Sequence, residues 1–345
     1  MERKYYYIIF TILIVIILSF AINKSGSLFG KNEVTPNNII SESSINTSFI
    51  KESPQRVEVQ CNETYYKVAF IILETRGDKA TEEEIEAVNR IKKKVSERFS
   101  DKTLGLATMD TTYSVTVLEV DEGTDLWDYY GAVNVSNLFY KSNPDEFDFL
   151  AVYIAYDSPG NMHFIGVSNY IGGIGKLKSG FGIGYLSQYG SKGKLLGIAN
   201  LREVEYNIDP EYDVAVVNGV LHEVGHYWGV YIDFMSKPNG NSYAHWSRLL
   251  NMSGSVMKGR TWEDNQNGNF TRVYGEDFIH GYTDFDLYLM GLLPSEKVKP
   301  IFKIITNNSI ESTTVGGYAE EITVQDIVNE YGKRKCFICN GSKRC

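Results

Sequence analysis

Apolar and polar positions fall along this chain in blocks that read as successive structural elements. Residues 5–22 carry no charge and show no polar face, a run close to the about 17–25 residues of a membrane-spanning helix. Residues 23–57 are the opposite, rich in Ser, Asn, Lys and Glu, a composition that cannot bury enough surface to fold alone. Residues 67–73 are a strongly apolar run expected as a buried strand. Thr81 and Glu84 form a capping box ahead of Ile85, Val88, Ile91, Val95 and Phe99, which repeat at helical spacing. Residues 113–120 alternate as a strand, residues 147–156 read as a second buried one, and residues 195–201 as the last strand before a further helix. This order predicts an α/β (α+β) fold, a mixed, largely parallel sheet carrying helices.

That further helix is unusual. Asp209-Pro210 is a good helix start, a capping carboxylate followed by proline at the first helical position. From residue 214 to 228 the chain is apolar on most sides, with Val216, Val217, Val220, Leu221, Val224 and Trp228. A helix of this kind lies inside the protein, so any histidine on it is a buried polar group in need of partners. Gly229 is placed to end it in the left-handed region.

The helix carries His222-Glu223-Val224-Gly225-His226. Two histidines four apart sit one above the other and can reach one Zn²⁺, and the glutamate between them can take a proton from water at the metal. The chain has only five histidines, and three of them, His222, His226 and His245, fall within residues 222–245. A helix with two half-buried structural histidines is the plainer alternative, but it leaves the buried imidazoles without partners.

The segment His222-Glu-Val-Gly-His226-Tyr-Trp-Gly229 resembles the active-site helix of zincin metallopeptidases, in the H-E-x-x-H-x-x-G form of the metzincins. Ser255-Val256-Met257 resembles the methionine turn that those enzymes place beneath the metal. The resemblance covers residues 222–258 and departs from the pattern at one place. The position three residues after the glycine, where the family carries its third ligand, is Ile232. An insertion containing the 237–241 turn would bring His245 back to the metal, and His245 is the first choice of third ligand. Asp233, Asp284 and Asp286 are the main competitors, with His280 behind them. The resemblance implies one catalytic zinc on His222, His226 and His245, with Glu223 as general base and Met257 packed below without binding metal. It also implies an edge strand at residues 195–201 bordering the cleft, open to main-chain pairing with a peptide. An upper lobe over residues 58–229 and a smaller irregular lobe over 230–345 complete the expected metallopeptidase domain.

The ends of the chain bear on location. Glu2-Arg3-Lys4 precedes the uncharged run, which predicts a cytoplasmic amino end and an exported body. Residues 1–22 are an uncleaved anchor or a cleaved signal, since Ser19-Phe-Ala21 offers small residues at a cleavage site; residues 23–57 are a stalk. Sequons at Asn46, Asn62, Asn134, Asn251, Asn269, Asn307 and Asn340 fit export and a glycoprotein. Cys61, Cys336, Cys339 and Cys345 suggest two disulfides, one tying Cys61 to the C-terminal cluster, although Cys336-Phe-Ile-Cys339 also has the form of a redox or metal pair.

Other motifs weigh less. The glycine-rich stretch 171–184 contains Gly175-Lys176 without the frame of a phosphate loop. Glu263-Asp-Asn265-Gln-Asn267-Gly268 is a candidate Ca²⁺ loop, but it begins with Glu, and Tyr274 stands where the bidentate Glu belongs; a hairpin turn is the competing reading. Residues 283–291 read as core packing, with aspartates able to support a ligating histidine. At a net charge of −9 with mixed signs, nothing points to nucleic acid. The expected partners are a peptide or protein substrate and the membrane. The expected function is therefore a membrane-anchored, extracytoplasmic zinc endopeptidase. A silent binding module on the same fold and a zinc amidase acting on wall or glycan material are the alternatives, and retention of Glu223 argues against the first.

Overall fold

Thr64–Glu74 (β1) runs through the middle of a six-stranded sheet. The computed structural model describes residues 64–126, 129–158, 161–167, 186–237, 244–252, 254–273, 281–309 and 312–334, with the backbone of 337–339 and 342–344. The chain divides into two units, Met1–Arg56 and Val57–Cys345, and every described residue belongs to the second. The apolar run 5–22, the stalk, the glycine-rich stretch, His280 and the cysteine side chains lie outside the described residues. Among those described, no helix is long and apolar enough to cross a membrane.

The other strands of the sheet are Ala107–Asp110 (β2), Thr116–Glu119 (β3), Phe149–Ile154 (β4), His163–Gly166 (β5) and Gly197–Glu203 (β6). Their order is β2-β1-β4-β6-β5, with β3 pairing the carboxyl half of β1 beside β2. All pairs are parallel except β5, which runs antiparallel to β6 at the edge. The mixed, largely parallel α/β fold read from the pattern is the fold observed.

Side chains of β1 alternate between two cores. Val68, Phe70 and Ile72 enter one, and Ala69, Ile71 and Leu73 the other. A strand buried on both faces reads as a continuous apolar run for this reason. Helix α1 (Glu82–Lys102) covers the first face with Val88, Ile91, Val95 and Phe99, and it starts at the expected Thr81–Glu84 capping box. Helix α2 (Tyr129–Tyr140) covers the second with Ala132, Val135 and Phe139. Helix α3 (Asp213–Gly225) lies on the α1 face through Val217, Val220, Leu221 and Val224.

Three local expectations are corrected. The strand before α3 is interior, flanked by β4 and β5, and the antiparallel edge is β5; β6 is buried along most of its length because it is paired on both sides. Asp209 caps a 3₁₀ turn, Pro210–Tyr212, which precedes α3 rather than forming its first turn. Gly229 is not in the left-handed region. It is small because a Cβ there would lie 3.0 Å from a methyl of Leu289, and the left-handed residue is Tyr231 at φ 48°.

Beyond α3 the Gly- and Asn-rich pattern hides short strands. Helix α4 is the single turn Asp233–Ser236. Trp246–Asn251 (β7), Lys258–Arg260 (β8), Trp262–Asp264 (β9), Asn269–Arg272 (β10), Ile301–Ile305 (β11), Thr314–Gly316 (β12) and Tyr318–Ile322 (β13) form two sheets, β13-β11-β7-β8 and β12-β10-β9. Phe337–Cys339 (β14) and Ser342–Arg344 (β15) make a hairpin. The calcium-like stretch is the turn between β9 and β10: Asp264 accepts from the Gln266 amide and Asn267 from the Asn269 amide, so these oxygens serve their own backbone. Helices α5 (Asp284–Met290) and α6 (Val324–Tyr331) close a core containing Val230, Ile232, Trp246, Met257, Phe285, Leu289 and Ile327.

Candidate metal centre

Helix α3 is fixed at its start by charge. Asp213 is buried and accepts from Arg90 Nε at 3.0 Å and from Lys94 Nζ at 2.6 Å, both on α1. Burial alone would raise its carboxyl pKa, but those hydrogen bonds outweigh burial and hold it below the usual range. Arg90 also donates to the carbonyls of Asn207 and Ile208. The amino end of α3 is thereby bound to α1 and to the turn that precedes it.

At the other end, α3 presents His222, Glu223 and His226. His245, immediately before β7, meets them. The three imidazole centroids form a nearly regular triangle, with sides of 4.8 Å (222–226), 4.9 Å (222–245) and 5.0 Å (226–245). Nε2 of His222 and Nε2 of His245 are 3.0 Å apart, and one ligand atom from each ring lies within 4.8 Å of the others. Bonds of about 2.0–2.1 Å at tetrahedral angles separate two ligating nitrogens by roughly 3.3 Å, between these two distances. Among the described residues this is the group of histidine, cysteine and acidic side chains placed to share a metal ion.

The Ser255–Met257 segment orients the first ring. His222 Nδ1 donates to the Val256 carbonyl, which leaves Nε2 bare and turned towards His245. A backbone carbonyl on the far nitrogen is the usual way a protein selects the ligating tautomer. The Ser255 hydroxyl caps the same segment by accepting from the Met257 amide at 3.0 Å. Met257 is buried against α3, so close to Gly225 that a Cβ there would sit 2.5 Å from the sulfur.

His245 is held through its neighbour. The Trp246 indole donates to Asp286 Oδ1 at 2.8 Å, and the Ser255 hydroxyl donates to Asp286 Oδ2 at 2.7 Å. Asp286 also accepts from the Thr283 amide and hydroxyl as the N3 residue of the α5 capping box. Burial pushes its carboxyl up, against these four donors. The aspartate therefore joins the segment of His245 and Trp246 to Ser255 without touching a histidine. Asp233 is exposed and paired with Lys237 at 3.2 Å, and Asp284 accepts from the Lys299 amide at 3.4 Å; neither joins the cluster. His163, the first residue of β5, bonds to the carbonyls of Leu126 and Asn161.

Electrostatics suit a metal. Burial pushes His222 down to about 4 and His245 down to about 2, and the positive charge of Lys258 adds to both shifts; His226 is depressed as well. All three imidazoles are thus neutral at pH 7, the state in which they bind metal. Glu223 is 4% exposed, with Oε1 at 3.9 Å from His222 Nε2 and Oε2 buried with no hydrogen-bond partner. Burial raises it to about 8, with Lys258 opposing. Nδ1 of His226 is buried beside the Gly229 backbone, without a well-formed hydrogen bond. A converging set of neutral nitrogens beside an orphaned carboxylate is the donor chemistry that zinc and an attacking water require.

Sequence reasoning missed three contributors. Tyr231 lies 6.3 Å from the His226 ring; Lys258 follows the methionine; and the Val256 carbonyl, a main-chain atom, leaves no mark in the sequence. A Lys directly after Ser-Val-Met was the one available signal. No family model matches the chain and no curated protein matches it, so the functional reading rests on these residues.

Proposed function

We propose that this protein is a zinc metalloendopeptidase of zincin type, anchored or exported by residues 1–22 and acting outside the cytoplasm. The observation that carries the reading is the junction of His222, His226 and His245 around one point with the buried, unpartnered Glu223 beside it. A zinc ion held by the three histidines supplies Lewis acidity towards a scissile carbonyl and lowers the pKa of water towards about 7. Glu223 takes the proton from the attacking water and delivers it to the leaving amine as the C–N bond breaks. Its raised pKa in the metal-free protein reflects burial, and the charge of a bound cation would favour the carboxylate form that accepts this proton.

The test is direct. The purified full-length protein should hold one zinc per chain and cleave an unfolded protein in a chelator-sensitive way. Glu223→Ala should keep the zinc and lose hydrolysis by orders of magnitude. Zinc binding without cleavage of any peptide would favour a silent binding module or an amidase, and near wild-type activity of Glu223→Ala would refute the mechanism.

A further inference from the structure

The carboxyl end of β6 is irregular. Val152 of β4 pairs with Asn200 and Ile154 with Glu203, so Tyr153 stands opposite two residues, Leu201 and Arg202. This is a bulge, rare between parallel strands, and Arg202 takes up the extra residue in the left-handed region at φ 72°. A bulge re-aims the side chains beside it. Tyr153, Leu201 and Arg202 all line one cavity of about 510 Å³, which reaches Ala215 and Val216 in the first turn of α3. That volume falls in the range of small-molecule sites, about 300–1,000 Å³. The cavity is separate from the histidine cluster. Val216 precedes His222 by six residues, about 9 Å along the helix axis. Met162 packs on the turn between them, so close to Gly219 that a Cβ there would sit 2.6 Å from its methyl.

The lining has two characters. Met162, Leu201, Tyr206 and Val216 supply apolar surface. Four other atoms of lining residues are buried without a hydrogen-bond partner: Tyr153 Oη, Arg202 Nε, Glu203 Oε2 and Asn207 Nδ2. Tyr153 is 1% exposed and Asn207 4%. Buried polar groups are nearly always hydrogen-bonded, so an orphaned set around one cavity marks where a ligand's polar groups belong. Burial keeps the Tyr153 phenol as O–H, which makes three of the four atoms donors and the carboxylate oxygen an acceptor. Glu203 is held in place by its other oxygen, which accepts from the Ser158 amide at 3.1 Å, and Arg202 lies over the Tyr206 ring at 5.8 Å. One guanidinium and one carboxylate are complemented by a ligand carrying one charge of each sign. We propose that this cavity binds a small zwitterion of the amino-acid type, its carboxylate meeting Tyr153, Arg202 and Asn207, its ammonium meeting Glu203, and an apolar side chain lying on Leu201, Met162 and Val216. A free amino acid and a short peptide with both ends free share this chemistry. The site needs no metal and is independent of the peptidase reading.

Calorimetry on the full-length protein in chelator, where no metal can hold or cleave the probe, should show one molecule of L-phenylalanine or of the dipeptide phenylalanyl-alanine bound per chain. Tighter binding of the first assigns free amino acids as the ligand, and tighter binding of the second assigns short peptides. Tyr153→Phe and Arg202→Asn should each weaken the tighter probe by about tenfold or more, the effect of losing one hydrogen bond to a charged group. Asn tolerates the left-handed backbone at 202. Because the Tyr153 hydroxyl has no partner in the protein, Tyr153→Phe should melt at or above the wild-type temperature, which separates lost binding from lost folding. Glu203→Gln should weaken phenylalanine and leave N-acetylphenylalanine, which has no ammonium, unchanged. No saturable binding of either probe at millimolar concentration overturns the proposal. So does wild-type affinity in both Tyr153→Phe and Arg202→Asn, or equal weakening of phenylalanine and its N-acetyl form in Glu203→Gln.

Discussion

The indole N–H of Trp246 meets the carboxylate of Asp286 at 2.8 Å across forty residues of chain. The bond places His245, the residue before Trp246, in register with the two helix histidines. The same carboxylate receives Ser255, so the third imidazole and the methionine turn share one buried anchor. Asp286→Ala leaves these donors unsatisfied in the interior, at about 1–3 kcal/mol for each. Asp286→Asn should be milder in stability and still weaken zinc affinity by about 10–100-fold. Denaturant melts and competition with a zinc-binding dye measure both; unchanged affinity in Asp286→Asn would break the link between this anchor and the metal.

The third ligand is tested by contrast. His245→Ala should lose zinc at sub-micromolar free metal together with activity, because a catalytic zinc needs three protein ligands. Asp233→Asn and Asp284→Asn should keep the metal, since Asp233 pairs with Lys237 and Asp284 with the Lys299 amide. Metal analysis after gel filtration decides it. A zinc-replete His245→Ala and a metal-free aspartate variant would make the site an aspartate-type one.

Metal-free stability should depend on pH in two opposed ways. Glu223 is raised from 4.5 to about 8 by burial, so its contribution is complete below pH 4.5 and is lost as pH rises through 8. His222 is lowered from 6.5 to about 4, so its contribution is complete above 6.5 and is lost as pH falls towards 4. Between pH 6.5 and 8 Glu223 and the three depressed histidines pull in opposite directions, so the chelated wild type should lose about 1.5 kcal/mol of stability relative to Glu223→Gln over that window. Equal pH slopes for the two proteins in urea titrations would contradict the buried, uncompensated carboxylate.

Gly225 and Met257 form a further pair. A methyl at 225 would press on the methionine sulfur at 2.5 Å, and overpacking of this kind costs about 1–3 kcal/mol. Gly225→Ala should therefore destabilise the protein and loosen the methionine turn that orients His222. Met257→Ala in the same chain should recover part of that loss, with a coupling of about 0.5–3 kcal/mol. Strict additivity of the two changes would show that the contact carries no strain.

Local pattern alone determined a good deal of this protein. The doubly buried strands β1 and β4, the capping box of α1 and the apolar helix with His222, Glu223 and His226 were legible because each depends on neighbours within a few residues. Periodicity reports which faces are buried, and spacing four apart reports which side chains share a helix face. The antiparallel edge at β5 was not legible, because strand order is a choice among pairings that the same apolar runs permit equally. The strands beyond residue 229 were hidden by their length, since three to six residues seldom display a period. His245 stands out in the sequence as the histidine between the helix and Met257, but its place beside His222 depends on Trp246 reaching Asp286, which no window of sequence contains. Asp286 reads from the sequence as a competing third ligand or a supporting aspartate, and its partners are an indole and a hydroxyl from two other segments, outside the histidine cluster. Contacts of this sort are decided by long-range packing, where the burial of one residue sets the direction of the next.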